Sequence, residues 1–348
     1  MKTVPAKRAT SQDVARMAGV SRTTVSFVLN DLQGVSISEA TRKKVMDAAR
    51  TLNYHPNAAG RKLVSGKSNT VGLVLYQSPE QVFADAFLLQ VILGVEQAAM
   101  QYGFHVLLKP VEPDGADDYA RLINENHVDG IILSGPRQDD QQILQLYQDG
   151  VPVMLQGQLP GSQIPFVDVQ AEQGAMLAVQ HLLEHGHQHI GMITNAPLSY
   201  TSAQQRRSGY LGALQSAGLA TDEALIKEGN YTPASGYNAM NDLLNESPRP
   251  SAVFIASDVV AMGAILAIRR AGLRIPEDIA IVGFDDIPLA DYYDPPLTTV
   301  RLPAYGLGWA AGDRLIRLIR GEGLDKNELL LDSELIIRES SVRSMTRV

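Results

Sequence analysis

The sequence of 348 residues contains no cysteine. Disulfides, thiolate metal ligands and Cys–His catalysis are therefore excluded, which fits a reducing compartment. No apolar run approaches the roughly 18 residues that a membrane span needs, so no membrane partner is expected. The opening stretch, MKTVPAKRAT, lacks the apolar core of a signal peptide, and a cytoplasmic location is expected. Enzyme signatures are missing too: neither G-x-G-x-x-G nor G-x-S-x-G occurs. LVSGKS ends like a phosphate-binding P-loop, but the first glycine that loop requires would fall at Arg61. The segment also precedes a strand where a P-loop follows one. It reads as a basic linker. HLLEH, residues 181–185, fits a zinc-peptidase spacing. However, Gly186 follows as a helix stop, the histidines suit the helix C-terminal dipole, and no distant third ligand is evident. Structural histidines are expected, with no metal, no cofactor and no catalytic residue.

Apolar content is an ordinary 45%, which fits a soluble globular chain of two or three domains. The net charge of −8 is unevenly spread. Residues 1–67 hold 12 Lys and Arg against 4 acids, a net +8, and the remainder nets −16. A small basic head on an acidic body points to a polyanion that meets only the head.

Within the head, Thr10 is placed to cap a first helix, with Asp13 completing a capping box. Gly19 permits a tight turn, and Ser21 caps a second helix. Ser38 caps a third, with Val45, Ala48, Ala49 and Leu52 as its buried stripe. Two short helices across a tight turn form a helix-turn-helix, whose second helix enters the DNA major groove. In that helix Val25, Val28 and Leu29 share one side, and Thr23, Ser26, Phe27 and Asn30 the other.

The body alternates strand-like and helical stretches from residue 70 onward, which implies parallel sheets with helices on both faces. Two such halves bind a ligand in the crevice between them, at strand C-terminal ends.

TSQDVARMAGVSRTTVSFVLN resembles the head of the lac repressor (LacI/GalR) family of transcription regulators. TLNYHPNAAGRKLVSGKSNTVGLVL resembles that family's hinge and first body strand. HVDGIILSG, RRSGYLGAL, SDVVAMGAILAIRRAGLRIPEDIAIVGFDD and PPLTTVRLP continue the likeness in order along essentially the whole chain. The resemblance implies an α/β protein: a small all-α helix-turn-helix head plus two doubly wound parallel-sheet subdomains of periplasmic-binding-protein type. The expected divisions are a head at 1–56 and a hinge and linker at 57–69. The N-terminal subdomain would be 70–167 with 298–323, and the C-terminal subdomain 168–297 with 324–345.

Arg22 and Thr23 open the recognition helix, where side chains reach base edges. Phe27 either packs on a thymine methyl or turns into the core against the third helix; its phase opposite Val25 favours DNA. Ser21, Thr24, Ser26 and Asn30 suit phosphate contacts, and Thr10, Ser11 and Gln12 join the expected DNA-contact set. By resemblance, Asn57, Ala59, Gly60 and Leu63 form a hinge helix in the minor groove, with Leu63 as its wedge. Gly60 disfavours that helix in the free chain.

The resemblance also marks Arg206 as a ligand anchor and Asp285 as its facing carboxylate, with Tyr231, Ser257 and Gln173 near the ligand. Tyr76, Phe83 and Phe87 are expected at the cleft mouth. The implied function is an effector-controlled repressor that binds double-stranded operator DNA of pseudo-palindromic sequence as a homodimer. Its effector would be a sugar, or else a nucleobase or nucleoside. The C-terminal stretch LIIRESSVRSMTRV carries no leucine heptad of the kind that would build a tetramer. A periplasmic sugar receptor would share the body but needs a signal peptide and no basic head. A sugar-processing enzyme would need a nucleophile–base pair or metal cluster.

Overall fold

The structure, a computed structural model, describes residues 9–29, 36–54, 67–112 and 119–342. The chain divides into two compact units, Met1–Ser68 and Asn69–Val348.

In the first unit, α1 (Ser11–Ala18) begins with the expected capping box. Thr10 Oγ1 accepts from the Asp13 amide, and the Asp13 carboxylate accepts from the Thr10 amide at 3.0 Å. α1 ends at Gly19, whose φ of +67° is the left-handed turn that glycine tolerates. Ser21 accepts from the Thr24 amide at 3.0 Å and starts α2 (Arg22–Leu29). Ser38 does the same for Thr41 at 3.3 Å and starts α3 (Glu39–Thr51). One small core joins the three helices through Val14, Ala15, Val25, Val28, Val45, Ala48 and Ala49.

The second unit opens with β1 (Thr70–Leu75), α4 (Pro79–Ala84), α5 (Ala86–Gln101), β2 (His105–Pro110), α6 (Arg121–Asn124) and β3 (Gly130–Ser134). It continues through α7 (Gln141–Gln148), β4 (Val153–Gln156), β5 (Phe166–Val169), α8 (Ala171–Glu184), β6 (Ile190–Ile193) and α9 (Thr201–Ser216). Then follow β7 (Ile226–Lys227), α10 (Pro233–Leu244), β8 (Ala252–Ile255), α11 (Asp258–Arg270) and β9 (Ala280–Asp285). The last elements are β10 (Thr299–Arg301), α12 (Ala304–Ile319), β11 (Glu328–Leu331) and β12 (Glu334–Ile336). β3, β4, β6, β8 and β9 are buried along their whole length, as parallel strands covered on both faces must be.

Two sheets result. One has the order β11-β5-β4-β3-β1-β2, and the other β12-β10-β9-β8-β6-β7. Among the described residues every strand pairing is parallel except that of β10 with β12. α12 lies so close to α5 that a side chain on Gly308 would collide with the Val91 carbonyl, and one on Gly94 with the Tyr305 carbonyl. Glycine at both crossing points is therefore a packing requirement.

The expected subdomain divisions differ from the strand pairing in two places. β10 pairs with β9, so the chain crosses back after residue 301 and not at 298. β11 pairs with β5, so residues 328–331 extend the first sheet, where the sequence reading assigned them to the second half. Each sheet recruits an edge strand from the C-terminal part of the chain because its open edge offers unpaired backbone groups. Among the described residues no helix is long and apolar enough to cross a membrane.

Candidate functional site

Two surfaces gather the expected functional residues. On the first unit, Gln12, Ser21, Arg22 and Thr23 are exposed, and Ser11, Thr24, Ser26 and Phe27 are half-buried. Ser21 and Thr24 hydroxyls lie 2.9 Å apart, so both serve the helix start first. The half-buried apolar residues packed on the head core include Ala18, Val20, Leu29 and Tyr54 but not Phe27. Asn30, Asn57, Ala59, Gly60 and Leu63 lie outside the described residues.

The second surface follows from topology. In each sheet the first-formed strand sits between its successors, so the loops leaving neighbouring strands diverge and open a crevice at their carboxyl ends. Tyr76 follows β1, Ser134 ends β3, Gln156 ends β4, Asp168 lies near the end of β5 and Asp285 ends β9. All line one cavity. The first turns of α9 contribute Ser202, Gln205 and Arg206 to it, and Asn195 and Tyr231 come from the loops after β6 and β7.

Arg206 is 8% exposed. Its Nη1 donates to the Ala256 carbonyl and lies 3.4 Å from Asp285 Oδ1. Its guanidinium stands 4.2 Å from the Phe284 ring centroid, a cation–π contact that fixes its plane. Its Nε is buried without a hydrogen-bond partner, as is Asn195 Oδ1. Among the residues that line the cavity, one donor and one acceptor thus lack a protein partner, a pair that hydroxyl groups could satisfy.

Burial pushes the Asp285 carboxyl up to about 7, against the pull of Arg206. Asp85, which N-caps α5 by accepting from the Phe87 amide at 2.9 Å, is pushed up to about 6 by the same cause. Asp168 is raised by burial too, although Gln158 donates to it at 2.9 Å. Asp258 is fully buried behind Asp285 and is raised well above the carboxylate range by burial and by that neighbour. It accepts from Thr299 Oγ1 at 2.7 Å and the Ile287 amide at 3.0 Å, holding the loop that follows β9.

Aromatic rings close the other walls. Tyr200 and Tyr231 meet edge to face at 5.6 Å, and the Tyr200 hydroxyl donates to the Tyr76 carbonyl at 2.7 Å. The Tyr76 hydroxyl donates to Asp140 Oδ2 at 2.7 Å.

Of the expected ligand residues, Tyr76, Phe87, Arg206, Tyr231 and Asp285 line this cavity. Ser257 and Gln173 do not. Ser257 is buried and hydrogen-bonds Asp285 from behind. Gln173 is exposed, because α8 turns Ala171, Gly174 and Ala175 inward and leaves that position in solvent. Phe83 is 63% exposed and lies off the cavity. Asp85, Asp168, Gln156, Gln205 and Asn195 escaped the sequence reading. Most sit at or just after a strand end or at a helix start, which is the signal that could have found them.

The histidines of HLLEH have protein partners. His181 Nε2 lies 2.8 Å from Ser341 Oγ, and His185 Nδ1 donates to the His181 carbonyl at 2.8 Å. Gly186 takes φ +85° just past the helix, as a left-handed stop.

A basic helix-turn-helix unit and a two-sheet body with a polar cavity define a DNA-binding regulator under the control of a small molecule. Residues 10–57 match the family of bacterial regulatory proteins of the lacI family, and residues 179–341 match a periplasmic binding protein-like domain. The chain is 36% identical over 341 residues to the HTH-type transcriptional regulator CelR of Thermobifida fusca, covering 96% of this chain and 98% of that protein. It is 34% identical over 337 residues to the HTH-type transcriptional repressor PurR of Photobacterium profundum, covering 95% of this chain and 98% of that protein. Among solved structures, a CelR–cellobiose complex superposes with a TM-score of 0.74 at 36% identity, covering 96% of this chain and all of that one. A lac repressor dimer bound to operator and the anti-inducer ONPF gives 0.83 at 32% identity, covering 97% of this chain and all of that one. The chain belongs to the lacI family. It is an effector-controlled, DNA-binding transcription regulator, of a class that is not enzymatic.

Proposed function

We propose that the chain is a cytoplasmic repressor that binds a pseudo-palindromic operator as a homodimer and answers to a sugar held in the body cavity. The observation that carries the ligand reading is the buried Arg206–Asp285 pair, which faces aromatic rings in a cavity whose lining residues leave one donor and one acceptor without a protein partner. Aromatic faces cover the apolar side of a sugar ring, and the polar groups take its hydroxyls. Arg206, Asp285, Tyr231, Tyr76 and Phe87 are the ligand contacts in this reading, and Ser257 orients Asp285.

Operator contacts come from residues 1–56. Arg22, Thr23 and Phe27 reach base edges. Thr10, Ser11, Gln12, Ser21, Thr24, Ser26 and Asn30 take phosphates. The hinge segment 57–69 supplies Asn57, Ala59, Gly60 and Leu63. One recognition helix reads only a few base pairs, so specificity asks for two heads on a two-fold axis. Ligand binding alters how the two halves of the body close, and a coupling of about 1–3 kcal/mol would shift operator affinity roughly 5–150-fold.

The test is a thermal-shift screen of the purified chain against sugars and nucleosides, followed by operator binding with and without each hit. A sugar at 100 times its Kd adds about 2.7 kcal/mol of stability and changes operator affinity. Stabilisation by nucleosides alone would replace the sugar reading.

A further inference from the structure

We infer that this cavity selects an uncharged, multiply hydroxylated ligand and rejects the same compound once it carries a phosphate or carboxylate. The inference rests on the reading of the cavity as the effector site and narrows the class of effector it takes.

Three carboxylates, Asp85, Asp168 and Asp285, line the cavity. Among the described lining residues Arg206 is the single cation. Asp85 and Asp285 are 4% and 6% exposed, so water screens them weakly. An incoming anion therefore meets an excess of like charge in a low-dielectric space, where repulsion is strong.

The usual anion-binding devices are also already occupied. A phosphate is commonly held by the fork of a guanidinium or by free amides at a helix start. The guanidinium of Arg206 is engaged by Asp285, by the Ala256 carbonyl and by the Phe284 face. At the start of α5 the Phe87 amide donates to Asp85. At the start of α9 the Thr201 amide donates to the Pro136 carbonyl, and the Ala203 amide to that of Tyr200. These three amides are turned to internal partners.

What remains suits hydroxyls. Carboxylate oxygens accept from them, while Arg206 Nε donates to one and Asn195 Oδ1 accepts from another. Burial raises the Asp85 carboxyl, and burial together with the neighbouring Asp85 raises that of Asp285 against the pull of Arg206.

The experiment measures binding of matched pairs to the full-length chain by calorimetry: glucose and glucose 6-phosphate, cellobiose and its 6-phosphate, adenosine and adenosine monophosphate. At pH 7.5, at least one neutral member should bind, with its phosphorylated twin about 100-fold or more weaker. Asp85→Asn retains an oxygen able to cap α5, and Asp168→Asn keeps the residue's shape. Each should narrow the ratio within the binding pair by about tenfold, a readout that a general loss of folding would not move. A phosphorylated twin that binds as tightly as its neutral partner overturns the inference and leaves the sugar reading intact. Selective binding of adenosine over its monophosphate upholds the charge rule and removes the sugar reading. Failure of every pair to bind overturns both.

Discussion

Arg206 sits where a surface arginine would not, with 9% of its side chain exposed and a carboxylate, a carbonyl and a ring around it. Such a group is held for something more than stability, since a buried ion pair contributes little net energy. Arg206→Ala should abolish the effector's influence on operator affinity while operator binding without effector changes less than about threefold, one small step on the affinity scale. Titration of operator DNA at saturating effector checks this, and equal loss of both properties would assign Arg206 to folding. The carboxyls make a second prediction. Asp285 is pushed up to about 7 and Asp85 to about 6, both by burial, from an ordinary value of 3.8. The folded chain thus keeps protons that the unfolded chain has released. Their contribution to stability is fully present below pH 3.8 and is lost as pH rises through 6 to 7. Each unit of difference is worth about 1.4 kcal/mol. Urea unfolding of the ligand-free chain should therefore show a difference between wild type and Asp285→Asn that shifts in favour of the variant from pH 5 to pH 8. A sugar that donates hydroxyls to these carboxylates prefers their ionised forms and should bind more tightly at pH 8. No change in that difference would mean that Asp285 titrates normally.

Strand ends, more than strands, carry the chemistry. Asp285 and Asp286 both take positive φ, 118° and 54°, in the left-handed half of conformational space that side chains disfavour. Ion pairs hold them there. Asp286 lies 2.7 Å from Arg301 Nε at the end of β10 and 2.8 Å from Arg338 Nη2 beyond β12. Arg301 also reaches Glu334 at 3.6 Å, where the chain re-enters the second sheet. The residue beside the ligand carboxylate is thereby tied to two of the segments that cross between sheets. Asp286→Asn leaves the mostly buried Arg338 with Asp291 and the Leu297 carbonyl as its partners and should cost about 1 kcal/mol; half-exposed Arg301 adds little. The same change should blunt the effector response more than effector affinity, and calorimetry beside operator titration separates the two. Equal losses in both would make Asp286 an ordinary prop.

The legible part of the sequence was the periodic part. The three head helices announced themselves through Thr10, Gly19, Ser21 and Ser38, because caps and turns are local chemistry. β1, β3, β4, β6 and β8 were legible as short apolar runs. The short edge strands β7, β11 and β12 were not, since half-buried edges carry little apolar signal and their pairing is non-local. The same reason hid Asp85 and Asp168: nothing within a few residues says that a carboxylate will face an arginine far along the chain. Gln173 is marked by resemblance alone, and nothing within a few residues says that α8 leaves that position in solvent.

At the scale of the molecule, charge and contact divide the chain at the same place, near residue 68. Residues 69–348 expressed alone should fold and keep the ligand-induced thermal shift. They should lose operator binding with its steep salt dependence, because the basic surplus lies upstream. Unchanged salt-dependent DNA binding by that fragment would refute the division of labour. The assembly leaves its own mark on the body. Leu89, Leu93 and Met100 lie on one side of α5 and are 43%, 45% and 57% exposed. Met262 and Leu266, one turn apart on α11, are 39% and 46% exposed. Apolar side chains repeated along one helix face and left in water are the usual trace of a partner surface. Burying them against a second copy would pair two heads, and two heads read a site long enough to be specific. The double change Leu93→Glu and Leu266→Glu places charges in that surface and should give a monomer in sedimentation velocity at about 10 µM, where the wild type should sediment as a dimer. The variant should retain its ligand-induced thermal shift, which shows that the body still folds, and should bind a two-half-site operator at least about 100-fold more weakly, as one lost half-site requires. A wild type that sediments as a monomer would refute the dimer. A double variant that still sediments as a dimer would move the interface off α5 and α11.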